Sequence, residues 1–294
     1  MKKCHLWFAF ILCGTVLYAN SYQEQMIKAE KLFKAIKYKE AAETYEEAIL
    51  ETEKSSERIK AKYGYWESLK RSNSGDRIAA AEALLYEEPD LTPKQMAELI
   101  EFIAKRSNKE RREKAITFGL QKKLSEYDRS LILKAAANSS GAYDKLNDEI
   151  LAMKNPAPVA RAVALGNVAT RTLWAERAPQ KALSMFEEAL KNNELNSQNR
   201  QFFLLGKARC HFALKQYQAA ELTYTQALMN GTQPDFQNAA YEELLGLYIR
   251  VTKQYVKIEP LLKQAAKDRN LRKKQRQVFI NAIKEIEKRR NQQK

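Results

Sequence analysis

The chain has few of the residues that mark several other protein classes. Its 294 residues include 9 glycines, 7 prolines, 3 cysteines and 2 histidines. So little glycine and proline argues against a collagen-like chain, and so few cysteines argue against a disulfide scaffold. No GxGxxG or GxxxxGK[ST] run supports a nucleotide site. What is abundant is alanine, leucine, glutamate, lysine and glutamine, which predicts an all-α protein.

The N-terminus has the three-part pattern of a secretory signal peptide. Two lysines precede an apolar run over Leu6–Tyr18, and small residues follow from Ala19. The run is shorter than the roughly 20 residues that span a bilayer. We therefore predict a signal peptide over 1–19, cut after Ala19 or, as second choice, after Ser21. A retained anchor and a lipid anchor at Cys13 are the alternatives.

Removal of this leader would leave one cysteine and one histidine, Cys210 and His211. A single cysteine allows no internal disulfide, which fits a bacterial periplasm better than a eukaryotic secretory route. The predicted location is therefore periplasmic or secreted. The net charge of +15 would fall to +13, because two lysines leave with the leader.

An internal repeat runs through the sequence. Two segments, one beginning at Ala29 and the other at Ala208, match without gaps, and further matches recur at intervals of 38. The matched positions are Ala29, Phe33, Tyr38, Ala41, Tyr45 and Ala48; Ala208, Phe212, Tyr217, Ala220, Tyr224 and Ala227; Trp174, Pro179, Ala182, Phe186 and Ala189; and, more weakly, Gly246, Tyr255, Leu262 and Ala265.

Each unit of the repeat predicts a helical hairpin. Ala41, Tyr45 and Ala48 follow the i, i+4, i+7 spacing of one helix face. The small residues allow another helix to approach closely, and the aromatic ring fills the space beside them. One hairpin cannot bury this face alone, whereas stacked hairpins can.

These residues resemble the tetratricopeptide repeat (TPR), although the period of 38 exceeds the family's usual length of about 34. The resemblance implies a right-handed α-solenoid of about seven antiparallel hairpins over 20–270. A solenoid needs a terminal cap with a polar outer face, and the basic amphipathic segment over 271–294 is predicted to be that capping helix, with an apolar stripe of Leu271, Val278, Phe279, Ala282, Ile283 and Ile286. Second helices are predicted to begin near 38, 76, 110, 142, 179, 217 and 255.

Residues for catalysis are scarce, so we predict no enzyme, no cofactor and no metal. Cys210 and His211 are neighbours on a predicted helix and point about 100° apart, so they cannot pair and should pack in the core. They are also too few for a zinc site. Carboxylate pairs such as Glu187–Glu188 and Glu242–Glu243 leave a glycosidase as a third hypothesis, but such pairs usually lie on solvated helix faces.

Four polar residues form the candidate binding site. Arg171 and Arg209 are separated by one period of the repeat and are therefore equivalent, and Asn167 lies one turn before Arg171. By resemblance to peptide-binding TPR domains, Asn167, Arg171, Lys207 and Arg209 would bind a partner protein or peptide on the concave face. The alternative is that they are solvated residues or hydrogen-bond partners between helices. Trp174 replaces a repeat aromatic and is predicted to pack in the core.

The C-terminal segment is strongly basic, with 11 basic and 3 acidic residues from Lys267 to Lys294. It could be a solvated cap, or it could dock on anionic lipid or a cell-wall polymer. Export argues against nucleic acid as a partner. The sequence thus predicts an exported TPR-like interaction scaffold. The alternative is a cell-envelope module that docks through its basic C-terminal helix.

Overall fold

The computed structural model describes residues 21–137 and 143–292, so the predicted signal peptide lies outside the described residues. Within this part the regular structure is helical throughout and contains no strand. The helices are α1 (21–34), α2 (Tyr38–Leu50), α3 (Ser55–Arg71), α4 (Arg77–Glu87), α5 (Pro93–Arg106), α6 (Lys109–Gln121), α7 (Glu126–Ala137), α8 (Tyr143–Ala152), α9 (Pro158–Trp174), α10 (Pro179–Leu190), α11 (Ser197–Ala213), α12 (Tyr217–Met229), α13 (Pro234–Gly246), α14 (Ile258–Lys267) and α15 (Lys273–Gln292).

The all-α prediction is confirmed, and neighbouring helices pack against one another as hairpins do. Even-numbered helices from α2 to α12 begin within one residue of the predicted second-helix starts. Near the last predicted start, a 3-10 turn over Tyr255–Lys257 leads into α14. The handedness of a solenoid, the hairpin count and the domain boundaries stay predictions. None of the described helices is both long and apolar enough to cross a membrane.

The described chain divides into two compact units, an N-terminal unit that ends at Tyr143 and a C-terminal unit that begins at Asp144. In the N-terminal unit, α1 to α3 share a core that includes Tyr22, Met26 and Tyr45. A second core follows around Trp66, which is fully buried and meets the ring edge of Phe102 at 5.3 Å between centroids.

In the C-terminal unit, two apolar clusters meet at α11. One joins α9, α10 and α11 through Phe186, Phe203 and Cys210. The other joins α11 to α15 and includes Tyr224 and Tyr241. Since α11 contributes to both clusters, it connects the two cores of this unit.

The alanine and aromatic landmarks of the repeat are buried. The aromatic rings of Tyr45, Phe186 and Tyr224 are at most 6% exposed. The alanines beside them have no exposed surface: Ala41, Ala48, Ala182, Ala189, Ala220 and Ala227. The pattern that indicated the hairpins therefore marks their packed faces.

Glycines let two of these rings approach the following first helix. A Cβ atom added to Gly64 on α3 would lie 2.5 Å from Cε1 of Tyr45 on α2. A Cβ atom added to Gly206 on α11 would overlap the ring of Phe186 on α10. Such contacts are far shorter than the van der Waals distance, so neither ring could keep its place if the glycine carried a side chain.

The hairpin turns use a left-handed backbone conformation without glycine. Five non-glycine residues have φ between 52° and 64°: Ile36, Asn73, Arg177, Lys215 and Lys253. Each lies shortly before a second helix. The turn at Lys215 is closed by the Gln216 amide, which donates to the His211 carbonyl at 2.8 Å. Helix ends of this geometry usually favour glycine.

The terminal helix differs in part from its prediction. It begins at Lys273, slightly later than expected, and its Phe279 packs inside the C-terminal unit together with Ile283. The prediction for Val278 was wrong, because this side chain is 61% exposed. Val278 immediately precedes Phe279, about 100° around the helix, and so points away from the packed face.

A pair of glycine substitutions on this unit should have opposite effects on stability. Gly206→Ala should destabilise the protein by about 1–3 kcal/mol through overpacking against Phe186. Gly246→Ala should be neutral or stabilise by up to about 1 kcal/mol, because Gly246 has helical φ and ψ of −57° and −41° and its added Cβ meets nothing within 4 Å. Urea unfolding of both variants tests this, and equal midpoints would contradict the packing described.

Candidate functional site

Two of the predicted site residues, Asn167 and Arg171, contact α8. The Asn167 amide Nδ2 donates to Oδ1 of buried Asn147 at 3.2 Å. The Arg171 guanidinium donates to both carboxylate oxygens of Asp148 at 3.1 and 3.3 Å, with Asp144 at 3.4 Å. These side chains therefore link α9 to the helix before it.

The other two predicted residues, Lys207 and Arg209, bond to different helices. Lys207 Nζ lies 3.1 Å from a Glu187 oxygen on α10. Arg209 binds Glu243 on α13, with Nε at 3.0 Å and Nη2 at 2.6 Å from carboxylate oxygens. Arg171 and Arg209 occupy equivalent positions of the repeat, yet Arg171 pairs with a helix that precedes its own and Arg209 pairs with a helix that follows its own. Their role in binding a partner stays a prediction.

Of the four predicted residues, only Arg209 lines a cavity of about 870 Å³ in the C-terminal unit. We name this cavity the Trp174 cleft. The C-terminal ends of α9 and α11 and the end of α13 form it. Its lining includes Trp174, Arg177, Phe212, Tyr224, Gly246 and Arg250.

The prediction that Trp174 packs in the core was wrong. Its side chain is 61% exposed at the cleft, and Phe212 beside it is 40% exposed. Trp174 is the last residue of α9 and lies beyond the buried stretch that ends with Leu173. Two aromatic side chains thus face solvent at one place, where their burial by another molecule would be favourable.

A satisfied ion pair borders the cleft. The Arg209 guanidinium is bound by Glu243 and lies 5.8 Å from the centroid of the Trp174 ring, within cation–π range. Burial opposes the charge of Arg209, but the hydrogen bond to Glu243 and the negative charge of that carboxylate together raise the Arg209 pKa. Burial and the charge of Glu243 also raise the pKa of Tyr224. The Arg209 guanidinium therefore stays charged and the Tyr224 hydroxyl neutral at physiological pH.

A π-helical turn forms one wall of the cleft. It covers Leu247–Val251, directly after Gly246, and the Thr252 amide donates to the Leu247 carbonyl at 2.9 Å. Such turns are rare and often occur at functional sites. Here the turn places Leu247, Arg250 and Val251 on the cleft, while the absent side chain of Gly246 leaves the wall open.

Two cations at the cleft have no counter-ion in the part of the chain that the structure describes. Arg177 and Arg250 form no ion pair there. Of the two lining carboxylates, Glu243 is held by Arg209 and Glu242 accepts a hydrogen bond from Asn238 at 2.9 Å. The cleft therefore combines exposed aromatic rings with available guanidinium groups.

Cys210 and His211 pack in the protein, as predicted. Cys210 is fully buried and burial raises its thiol pKa to about 12, so the thiolate is scarce at neutral pH. His211 is 9% exposed, and its Nδ1 lies 2.7 Å from Oε1 of Gln216. Across residues 21–137 and 143–292, no three His, Cys, Asp or Glu side chains come together as a metal site would require.

The chain matches no protein-family model and no curated protein.

Sequence reasoning missed three cleft residues, Arg177, Phe212 and Arg250, as binding candidates. A signal for Phe212 and Arg250 exists in the numbering, because they follow Trp174 at intervals of 38. The repeat thus places the same position of three successive first helices on one surface. The binding site was predicted from polar residues that recur at this period. Aromatic residues that recur at the same period were predicted to pack in the core, so Trp174 and Phe212 were not considered as binding residues.

The exposure of Trp174 predicts a quenching result. In a Trp7→Phe background, two tryptophans remain, fully buried Trp66 and 61% exposed Trp174. Acrylamide should quench one emission component strongly and the other weakly, and Trp174→Phe should remove the quenchable one. A single well-shielded component in both proteins would show that the cleft is closed.

Proposed function

We propose that the protein is a non-enzymatic, exported scaffold of TPR-like hairpins that binds a segment of a partner protein in the Trp174 cleft. The observation that carries this proposal is the exposure of Trp174 and Phe212 beside guanidinium groups without counter-ions in the described part of the chain. Tryptophan and arginine are the residues that most often dominate binding energy at protein interfaces.

The lining of the cleft supports a peptide segment as ligand. The volume of about 870 Å³ lies within the range of about 300–1,000 Å³ of ligand sites and leaves room for a few side chains. Seven residues of its lining are apolar, among them Trp174, Phe212 and Leu247, and three are arginines. Such a lining suits apolar anchor side chains on a chain that carries some polar groups.

The finer features of this proposal come from the sequence. The leader pattern over 1–19 supports a periplasmic or secreted location. The TPR resemblance supports a right-handed solenoid of about seven hairpins with a concave binding face and a cap over 271–294. Within this proposal Arg209 reaches the partner beside Trp174, whereas Asn167, Arg171 and Lys207 hold the helices that form the scaffold.

Peptide selection tests the proposal. We expect the full chain to select binding peptides from a displayed random library, and Gly246→Phe to abolish their binding because the added ring fills the cleft. Gly75→Phe is the matched control, since a Cβ at Gly75 also meets nothing within 4 Å but lies in the N-terminal unit. Peptides should also shift the emission of Trp174 to shorter wavelength.

Two results would contradict this proposal. One is a selection that yields no peptide dependent on an open cleft. The other is a set of peptides that bind the Gly246→Phe and Gly75→Phe proteins equally well. Circular dichroism of both variants shows whether each keeps its helices.

The exposed lysines of α15 support a second candidate, docking on an anionic lipid or cell-wall polymer of the envelope. Lys273, Lys274 and Lys284 are exposed. The apolar side of the helix is occupied, because Phe279 and Ile283 pack inside the unit. Any docking would therefore be electrostatic rather than by insertion of this helix.

Vesicle sedimentation tests this second candidate. The protein should sediment with phosphatidylglycerol vesicles and not with phosphatidylcholine vesicles. Replacement of Lys273, Lys274 and Lys284 by glutamate should remove the binding, at about 1 kcal/mol per charge near the surface. Binding that persists in the triple variant would count against the helix as the docking element.

A further inference from the structure

Three successive hairpin turns of the C-terminal unit carry a cation at the same position. Arg177, Lys215 and Lys253 are spaced by one period of the repeat, and their φ values are 52°, 59° and 52°. All three side chains are exposed, and none forms an ion pair in the described part of the chain. We name this set the cation row.

One member of the cation row lines the Trp174 cleft, and the other two follow cleft-lining residues in the sequence. Arg177 itself lines the cleft. Lys215 lies just beyond Phe212 in the sequence, and Lys253 lies equally close beyond Arg250, and both Phe212 and Arg250 line the cleft. Together with Arg250, they give the rim of the cleft and the turns that follow it four cations that form no ion pair among the described residues.

The carboxylates at the cleft do not neutralise these cations. Glu243 is already bound by Arg209, with Nη2 and one oxygen 2.6 Å apart. Glu242 is the other carboxylate of the lining and accepts a hydrogen bond from the uncharged Asn238, so it adds one negative charge against the four cations. The rim is therefore positive overall, and a ligand with carboxylates would complement it.

Turn geometry does not account for the basic residues of the row. The left-handed conformation favours glycine or asparagine, and lysine and arginine gain nothing from it. In the N-terminal unit, Ile36 and Asn73 occupy the same kind of turn, so the turn itself does not need a charge. The cations occur at the turns of the unit that holds the Trp174 cleft.

We propose that the partner segment bound by the Trp174 cleft is acidic, which rests on the proposed function. Its apolar side chains contact Trp174 and Phe212, and its carboxylates pair with the cation row. An extended segment that carries several Asp or Glu residues would complement the row.

Peptides selected from an unbiased random library on the full chain test this proposal. Those that fail to bind the Gly246→Phe protein are sequenced and made with a fluorescent label. We expect their Asp and Glu content to exceed that of the starting library. Affinity should fall as salt rises, since the pairs are exposed to solvent.

Charge reversal on the protein tests whether the cation row binds the carboxylates of the peptides. Replacement of Arg177, Lys215 and Lys253 by glutamate should weaken binding of these labelled peptides by about tenfold or more, as three exposed pairs are lost. The matched control reverses three exposed lysines of the N-terminal unit, Lys28, Lys94 and Lys123, and makes the same change in net charge. We expect this control to change affinity by less than about threefold.

The outcomes separate this proposal from the proposed function. If selected peptides need the open cleft but show no enrichment of acids, or bind the two triple variants equally, the acidic partner is overturned and the peptide-binding cleft stands. If no selected peptide needs the open cleft, the proposed function itself fails. Acid-rich peptides that lose affinity in the cation-row variant alone support both.

Discussion

The scaffold depends on the contact between an aromatic ring and a glycine of the following helix. Tyr45 against Gly64 and Phe186 against Gly206 both join a second helix to the first helix of the next hairpin. The ring fills the space that the missing side chain leaves, so that two backbones come close without a void. Dense packing of this kind fixes the register of one hairpin on the next and tolerates little change of volume.

The Trp174 cleft lies where this contact is replaced. Tyr45 and Phe186 are each followed, at nearly the same distance along the sequence, by a glycine on the first helix of the next hairpin. At that distance after Tyr224 the sequence has Glu243 and Leu244 instead of a glycine. Glu243 binds Arg209 instead of admitting a ring, and a π-helical turn follows Gly246. The same repeat that builds the core thus leaves an opening lined by Trp174, Phe212 and Arg250 when one of its positions changes.

Most of the helical layout could be predicted from the sequence, because the period of small and aromatic residues records which faces are buried. Ala220 and Tyr224 are buried as the pattern required. The turns were harder to locate, since Ile36 and Lys215 adopt the left-handed conformation without the glycine that usually signals it. The cleft was not predicted. An aromatic residue at this position of the repeat is buried or exposed according to where its helix ends, and the periodicity of the sequence does not show where that is.

A double-mutant cycle between Phe186 and Gly206 tests the central contact most directly. If the ring occupies the place of the missing Cβ, the stability cost of Gly206→Ala should largely vanish in a Phe186→Leu background, because the shorter side chain leaves room. This corresponds to a coupling free energy of about 1 kcal/mol or more between the two sites. An equal cost of Gly206→Ala in both backgrounds would show that the ring and the glycine do not depend on each other, and the account of the stacking would be wrong.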